Sequence, residues 1–255
     1  MRKIAAMAYG VAAYVVFLGA FVHSVGFVGN FLVPKTIDSG LAGAPLDALV
    51  IDALLLGLFA VQHSVMARPG FKAIWTRIVS PSIERSTYVL ISSLLLFLLF
   101  WQWRPLPAVI WDRSAGPAQV MIQALFWLGW LVVLASSFLI SHVDLFGLRQ
   151  VWLNLRGKTY QHPVFVVRGL YRFVRHPLML GFVIAFWAAP VMTLGHLVFA
   201  VATTAYILIA LRFEERDLID TLGVAYLDYR EQVPMLVPLP RARTGESPAR
   251  RSIIP

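Results

Sequence analysis

Two short stretches of this 255-residue chain carry side chains whose types and spacing suit chemistry. The first is Arg175-His176-Pro177, with Gly181 four residues on. Proline is tolerated in a first helical turn, where its missing N–H is not needed. The tripeptide therefore reads as a helix start. Unpaired N–H groups there, beside a guanidinium and an imidazole, make a site for a carboxylate or phosphate. Gly181 lets another group approach the helix backbone closely. The second stretch is Glu214-Glu215, two acids in a region otherwise rich in arginine. They suit recognition of a cation, or simply partner the nearby arginines. An anion site and a cation site together fit an amino-acid moiety, which carries both charges.

Other residues are sorted by what they lack. The six histidines are His23, His63, His142, His162, His176 and His196. None has metal-ligand spacing and no acidic cluster lies among them, so no resident metal is expected. The chain has no cysteine. Disulfides, thiolate metal ligands and a catalytic thiolate are therefore excluded.

The elements that must position these residues are membrane spans. Hydrophobic residues make up 59 % of the chain and charged residues 14 %, against about 45–50 % and about 25 % in soluble domains. That excludes a disordered chain, a solvated nucleic-acid module and an ordinary soluble enzyme. Runs near ~20 apolar residues fall at 4–28, 49–67, 87–103 and 120–141. A fifth, short run at 178–192 and a sixth at 194–211 follow with almost no loop, as a tight hairpin with Pro190 near its turn; five spans plus a re-entrant piece is the competing count. The first run is too long for a signal peptide and lacks a small-residue cleavage site. The expected fold is all-α: a polytopic helical membrane protein with five to six transmembrane helices. Residues 1–143 form a four-span bundle. Residues 144–240 form a loop, the hairpin and a C-terminal segment, and 241–255 form a disordered tail.

With six spans, nineteen of the 22 lysines and arginines fall on the side of both termini and three on the other. That asymmetry places both termini in the cytosol. It also gathers His63, His142, His162 and His176 on the cytosolic face, beside the long hydrophilic stretch 144–177. A segment of that length does more than connect.

The spacing Gly169-x-Tyr171-x-x-x-Arg175-His176-Pro177-x-x-x-Gly181, then Glu214-Glu215, then Gly223-x-x-Tyr226-x-x-Tyr229 and Val233-Pro234, resembles the C-terminal core of a known superfamily. It is that of the isoprenylcysteine carboxyl methyltransferases and phospholipid N-methyltransferases, over about the last 75 residues before the tail. The resemblance implies S-adenosylmethionine as cofactor, held on the cytosolic side by His162, Gly169, Tyr171, Arg175, His176, Pro177, Gly181, Glu214 and Glu215. Met179 stands where those enzymes usually have tyrosine, and His162 sits one residue further upstream than its counterpart. A narrower resemblance covers nearly the whole chain. Gln62-His63-Ser64-x-Met66-Ala67-Arg68, Glu84-Arg85-Ser86-Thr87-Tyr88, His142-x-Asp144 through Arg149-Gln150, and Pro190-x-Met192-Thr193-x-Gly195-His196 resemble bacterial methanethiol S-methyltransferases. Some pieces are shared with the NnrU-like membrane proteins.

This narrower resemblance implies methylation of methanethiol to dimethyl sulfide by direct in-line transfer, in a bacterial inner membrane. The implied partners are a small thiol and membrane lipids, with no nucleic acid and no obligate protein partner. A free thiol titrates near or above ~8.5, and a nearby cation holds the thiolate. Arg149 is the candidate cation, His142 or Tyr171 the candidate proton relay, and Asp144 orients His142 or Arg149. Gln150, His63 and Trp152 are candidates to contact the thiol. The alternative for Asp144 and Arg149 is a loop salt bridge. Two other function classes stay open: a methyltransferase for a lipid or prenylcysteine acceptor, which needs a lateral opening between spans, and a non-enzymatic transporter or scaffold.

Overall fold

The computed structural model describes residues 1–161 and 165–238. In chain order these form α1 (Arg2–Gly29), α2 (Pro45–Ala67), a short α3 (Pro69–Trp75), α4 (Pro81–Gln102) and strand β1 (Val109–Asp112). Then come α5 (Gly116–Ile140), the short α6 (His142–Leu145) and α7 (Leu148–Leu155), and a single 3-10 turn (Gly169–Arg172). The chain continues with α8 (Pro177–Trp187), β2 (Val191–Thr193), α9 (Leu194–Leu222) and α10 (Val224–Gln232). α1, α2, α4, α5 and α9 are each long and apolar enough to cross a membrane. The chain is a multi-pass helical membrane protein, as its composition predicts.

Local chemistry sets the helix ends. Proline opens α2, α3, α4 and α8 and is the second residue of α5, where its missing N–H is not needed. The Thr193 side chain accepts the His196 N–H at 3.1 Å and caps α9,. Gly223, at φ 59°, breaks α9 from α10. The sequence-based span 194–211 covers only the apolar part of α9. The helix runs on through Glu214 and Glu215, so both glutamates sit on a helix and not in a loop at its foot.

α8 explains why five and six spans compete. Its 11 residues rise about 16 Å, roughly half of the ~30 Å hydrocarbon core. It begins beside Glu215, near the last turns of α9. The chain then runs in extended form through β2 to the point where α9 starts. β2 pairs antiparallel with β1, Val109 opposite Thr193 and Asp112 opposite Val191. The run 178–192, expected as a helical span, is thus an 11-residue helix followed by extended chain. α8 and α9 are bonded along their length, Trp187 Nε1 donating to Thr204 Oγ1 at 3.0 Å. The tightest contact of α8, however, is with α5. A Cβ on Gly181 would lie 2.7 Å from the Gly129 oxygen and 2.8 Å from the Val133 nitrogen.

The largest core lies toward the ribbon, around Phe27, Phe100, Trp103, Trp130, Phe186 and Phe199. Lys35, Arg104 and Arg113 gather at this same end. Lys35 Nζ donates to the Trp101 carbonyl, the Arg104 N–H to Asp52 and the Arg113 N–H to the Pro190 carbonyl. At the opposite end Met66, Tyr88 and Val89 pack with Phe17 and Phe146. There too Tyr226, Tyr229 and Val233 close over Phe165.

Candidate active site

The start of α8 and the polar end of α9 meet as the sequence spacing predicts, but the two charges meet each other. Arg175 Nε donates to Glu215 Oε1 at 2.7 Å and His176 Nε2 lies 3.1 Å from the same oxygen. Arg175 and Glu215 side chains are 5 % and 8 % exposed. The Arg175 guanidinium also donates to the carbonyls of Arg230 and Val233. The backbone N–H groups of Arg175 and His176 donate to Pro234 and Met235. Tyr229 donates its hydroxyl to the Tyr171 carbonyl at 2.7 Å, and burial pushes that phenol up to about 12. Residues 224–235 thus wrap the Tyr171–Pro177 segment, with the buried ion pair as the knot. Removing one partner of such a pair leaves an uncompensated buried charge.

Glu214 is the carboxylate left open. It is exposed and has no ion-pair partner among the described residues. Its charge lies within electrostatic reach of Tyr88, Tyr171 and Tyr206. Burial and then that charge push the Tyr171 phenol well above its usual range, so its hydroxyl stays protonated. On the same flank, an apolar pocket of about 380 Å³ opens between α2 and α9, lined in part by Ala60, Ser64, Tyr206, Ala210 and Phe213.

Tyr171 and His142 converge on the last turns of α5. Tyr171 donates to the Ser136 carbonyl at 3.4 Å, and Ser137 Oγ lies 2.9 Å from His142 Nδ1. Gly169, at φ +51°, lets the 3-10 turn press on Leu139. His142 Nε2 is 2.7 Å from the Tyr14 hydroxyl, and its ring stacks on Phe138 with centroids 4.4 Å apart. Burial holds this imidazole below its ordinary value, so it is neutral at pH 7.

Asp144 does not touch His142. It accepts from Arg149 at 3.5 Å, Gln150 at 3.3 Å and Tyr160 at 3.1 Å, and the Arg149 guanidinium lies over the Tyr160 ring. His63 of α2 forms a separate cluster with α4: Nε2 is 2.9 Å from the Tyr88 hydroxyl and Nδ1 3.3 Å from Ser92 Oγ. Trp152 is exposed, with Arg156 over its ring. Pro177 and Gly181 are buried at the head of α8, where the close neighbour of Gly181 is Gly129 of α5. His162 lies outside the described residues.

Three residues join these clusters and were not among the sequence candidates. Arg85 lies over the Tyr88 ring and donates to the Leu145 carbonyl at 2.8 Å, tying the His63 pair to the Asp144 segment. The stretch Glu84–Tyr88 is the signal that points to both Arg85 and Tyr88. Tyr14 carries no such signal: it is one polar tip in an apolar run, 128 residues from its partner.

No protein-family model and no solved structure matches the chain. Among curated proteins, it is 57 % identical over 244 residues to "Methanethiol S-methyltransferase" of Mycobacterium tuberculosis, covering 96 % of this chain and 100 % of that protein. It is 51 % identical to "Methanethiol S-methyltransferase 2" of Bradyrhizobium diazoefficiens, covering 98 % and 97 %. A more distant relative is "Nurim" of Mus musculus, 30 % identical over 181 residues, covering 68 % and 69 %.

Proposed function

This chain belongs to the methanethiol S-methyltransferase family, and on that premise we propose that it methylates methanethiol to dimethyl sulfide with S-adenosylmethionine as donor. It is a methyltransferase embedded in a membrane. Near-complete coverage at 57 % identity is the observation that carries the reading. The donor set fits the cofactor. Glu214 offers an open carboxylate to a cation, beside a protonated Tyr171. The first turn of α8, behind Pro177 and His176, offers N–H groups to a carboxylate. Arg175 and Glu215 fix these two elements relative to one another, and Gly169 sets the turn that carries Tyr171. When bound, S-adenosylmethionine supplies an electrophilic methyl group on a sulfonium.

The protein's own task is to present the thiol as thiolate and keep water away. Arg149 stays charged at any working pH and holds the thiolate. His142, neutral at pH 7, is the base, with the Tyr14 hydroxyl as its relay. Tyr171, kept protonated, donates a hydrogen bond and does not act as a base. Asp144 aims Arg149, and Gln150 steadies Asp144. His63 sits behind Tyr88 as part of the wall. Thiolate and sulfonium give two neutral products, so a low-dielectric site favours the transfer.

The site faces the cytosol of a bacterial inner membrane, with both termini on that side. The nineteen-to-three basic split and the gathering of Lys35, Arg104 and Arg113 at the ribbon end support this. The reaction needs a small thiol and a surrounding lipid bilayer, and neither nucleic acid nor a protein partner. The pocket between α2 and α9 also favours a second reading, a lipid or prenylcysteine acceptor. Headspace detection of dimethyl sulfide from purified protein, methanethiol and S-adenosylmethionine decides. Absence of that gas, with a methylated lipid in its place, overturns the first reading.

A further inference from the structure

Arg212 and Arg216 stand one turn apart on α9, both exposed. With Ile219 they form one wall of a pocket of about 350 Å³. Its other walls are Arg175, Glu215, Arg230 and Met235. Arg212 and Arg216 have no ion-pair partner among the described residues, whereas Glu215, the one acid in the lining, already accepts from Arg175 and His176. The balance is strongly positive, and the planar arginine fork matches phosphate oxygens two at a time.

The pocket's neighbours place it at the membrane surface. Phe213 is 46 % exposed, with the Arg216 guanidinium 5.8 Å from its ring centroid. Val224 and Leu227 of α10 are also exposed. Apolar side chains capped by outward-reaching arginines are what an interface between hydrocarbon and headgroups selects. The pocket shares the Arg175–Glu215 pair with the proposed cofactor site but opens on the side of α9 away from Glu214. At about 100° per residue, Glu214 lies roughly 160° around α9 from Arg212.

We propose that this pocket is a phosphate site, filled in the membrane by the headgroup of an anionic phospholipid, and that its occupant pins α10 against α9. The pin matters because α10 leads into Val233–Met235, whose carbonyls hold Arg175 and His176 in place. This is independent of which acceptor is methylated. It is tested without turnover, on the full chain in nanodiscs of phosphatidylcholine alone or mixed with phosphatidylglycerol. Phosphatidylglycerol raises the unfolding midpoint by about 2–4 °C and slows amide hydrogen exchange over residues 224–235. The variant Arg212→Gln/Arg216→Gln, altered only at exposed positions, loses both gains and keeps its midpoint in phosphatidylcholine. A third arm adds inorganic phosphate to the phosphatidylcholine discs. Equal gains there, lost in the variant, keep the site and assign it to free phosphate; no gain there assigns it to the headgroup. No gain from either source, or gains that survive the double substitution, overturn the proposal.

Discussion

Glu214 and Glu215 are adjacent, yet a helix turns about 100° between them, and their environments part. Glu214→Gln removes one charge-assisted contact, worth about 1.5–3 kcal/mol, and should weaken S-adenosylmethionine binding on the order of 10- to 100-fold with no loss of stability. Glu215→Ala strands Arg175 and should lower stability by about 3–5 kcal/mol. Calorimetric titration and thermal unfolding of the two variants separate the roles; an unchanged affinity in Glu214→Gln would move the cation site elsewhere. Arg149 is one-third exposed at a 3.5 Å pairing, which contributes about 0–1 kcal/mol. Arg149→Gln should therefore fold normally, bind cofactor normally and turn over about 10- to 100-fold more slowly. Raising the pH should partly rescue it, because solvent then supplies more thiolate; wild-type turnover at neutral pH would reduce Arg149 to a loop salt bridge. His142 gives the pH dependence. Its folded pKa lies below the usual 6.5, so the unfolded chain takes up the proton first as pH falls. The stabilisation is complete above about 6.5 and is lost below it, down through the folded value. The unfolding midpoint should drop over that window in the wild-type protein and less in His142→Gln; equal drops would show that another group titrates there.

At the scale of elements, the glycine pair Gly129–Gly181 sets how closely α5 and α8 approach. Small residues are the usual means of bringing backbones together in a bilayer. Gly181→Ala should push the helices apart and cost about 1–3 kcal/mol of overpacking, read as a lower unfolding midpoint in detergent. A midpoint equal to wild type would mean that the backbones yield without strain. The long helices and the α8 start were legible in the sequence, because apolar runs and a leading proline act locally. The Arg175–Glu215 contact was legible as the alternative that the paired acids partner nearby arginines, without saying which arginine. Residues 230–235, of which Val233-Pro234 belongs to the motif, add the carbonyls that hold the Arg175 guanidinium beside Glu215. The half-helix was legible as the competing count of five spans plus a re-entrant piece; the strand after it was missed because residues 188–193 are as apolar as the helix before them. Only pairing with β1, some eighty residues upstream, makes them a strand.

For the whole molecule, the basic asymmetry yields a topology prediction. Alkaline-phosphatase fusions at either terminus should be inactive, and one in the loop joining β1 to α5 should be active. An active fusion at the C-terminus would invert the orientation. The ribbon at the end away from Glu215 has a mechanical meaning. β1 follows α4 and leads to α5; β2 follows α8 and leads to α9. α4, α5, α8 and α9 are therefore riveted at one end of the bundle, and at the other the Arg175–Glu215 pair ties α8 to α9. A swing of the tied α8–α9 pair about that rivet would grow in amplitude along the helices. α9 has 29 residues, about 43 Å, so a swing of about 5° about the rivet carries its far end through about 4 Å. That displacement is about the width of a methyl group. It is reached at Leu222; at Glu214, about 30 Å from the rivet, the same swing gives about 2.6 Å, while the riveted end stays shut.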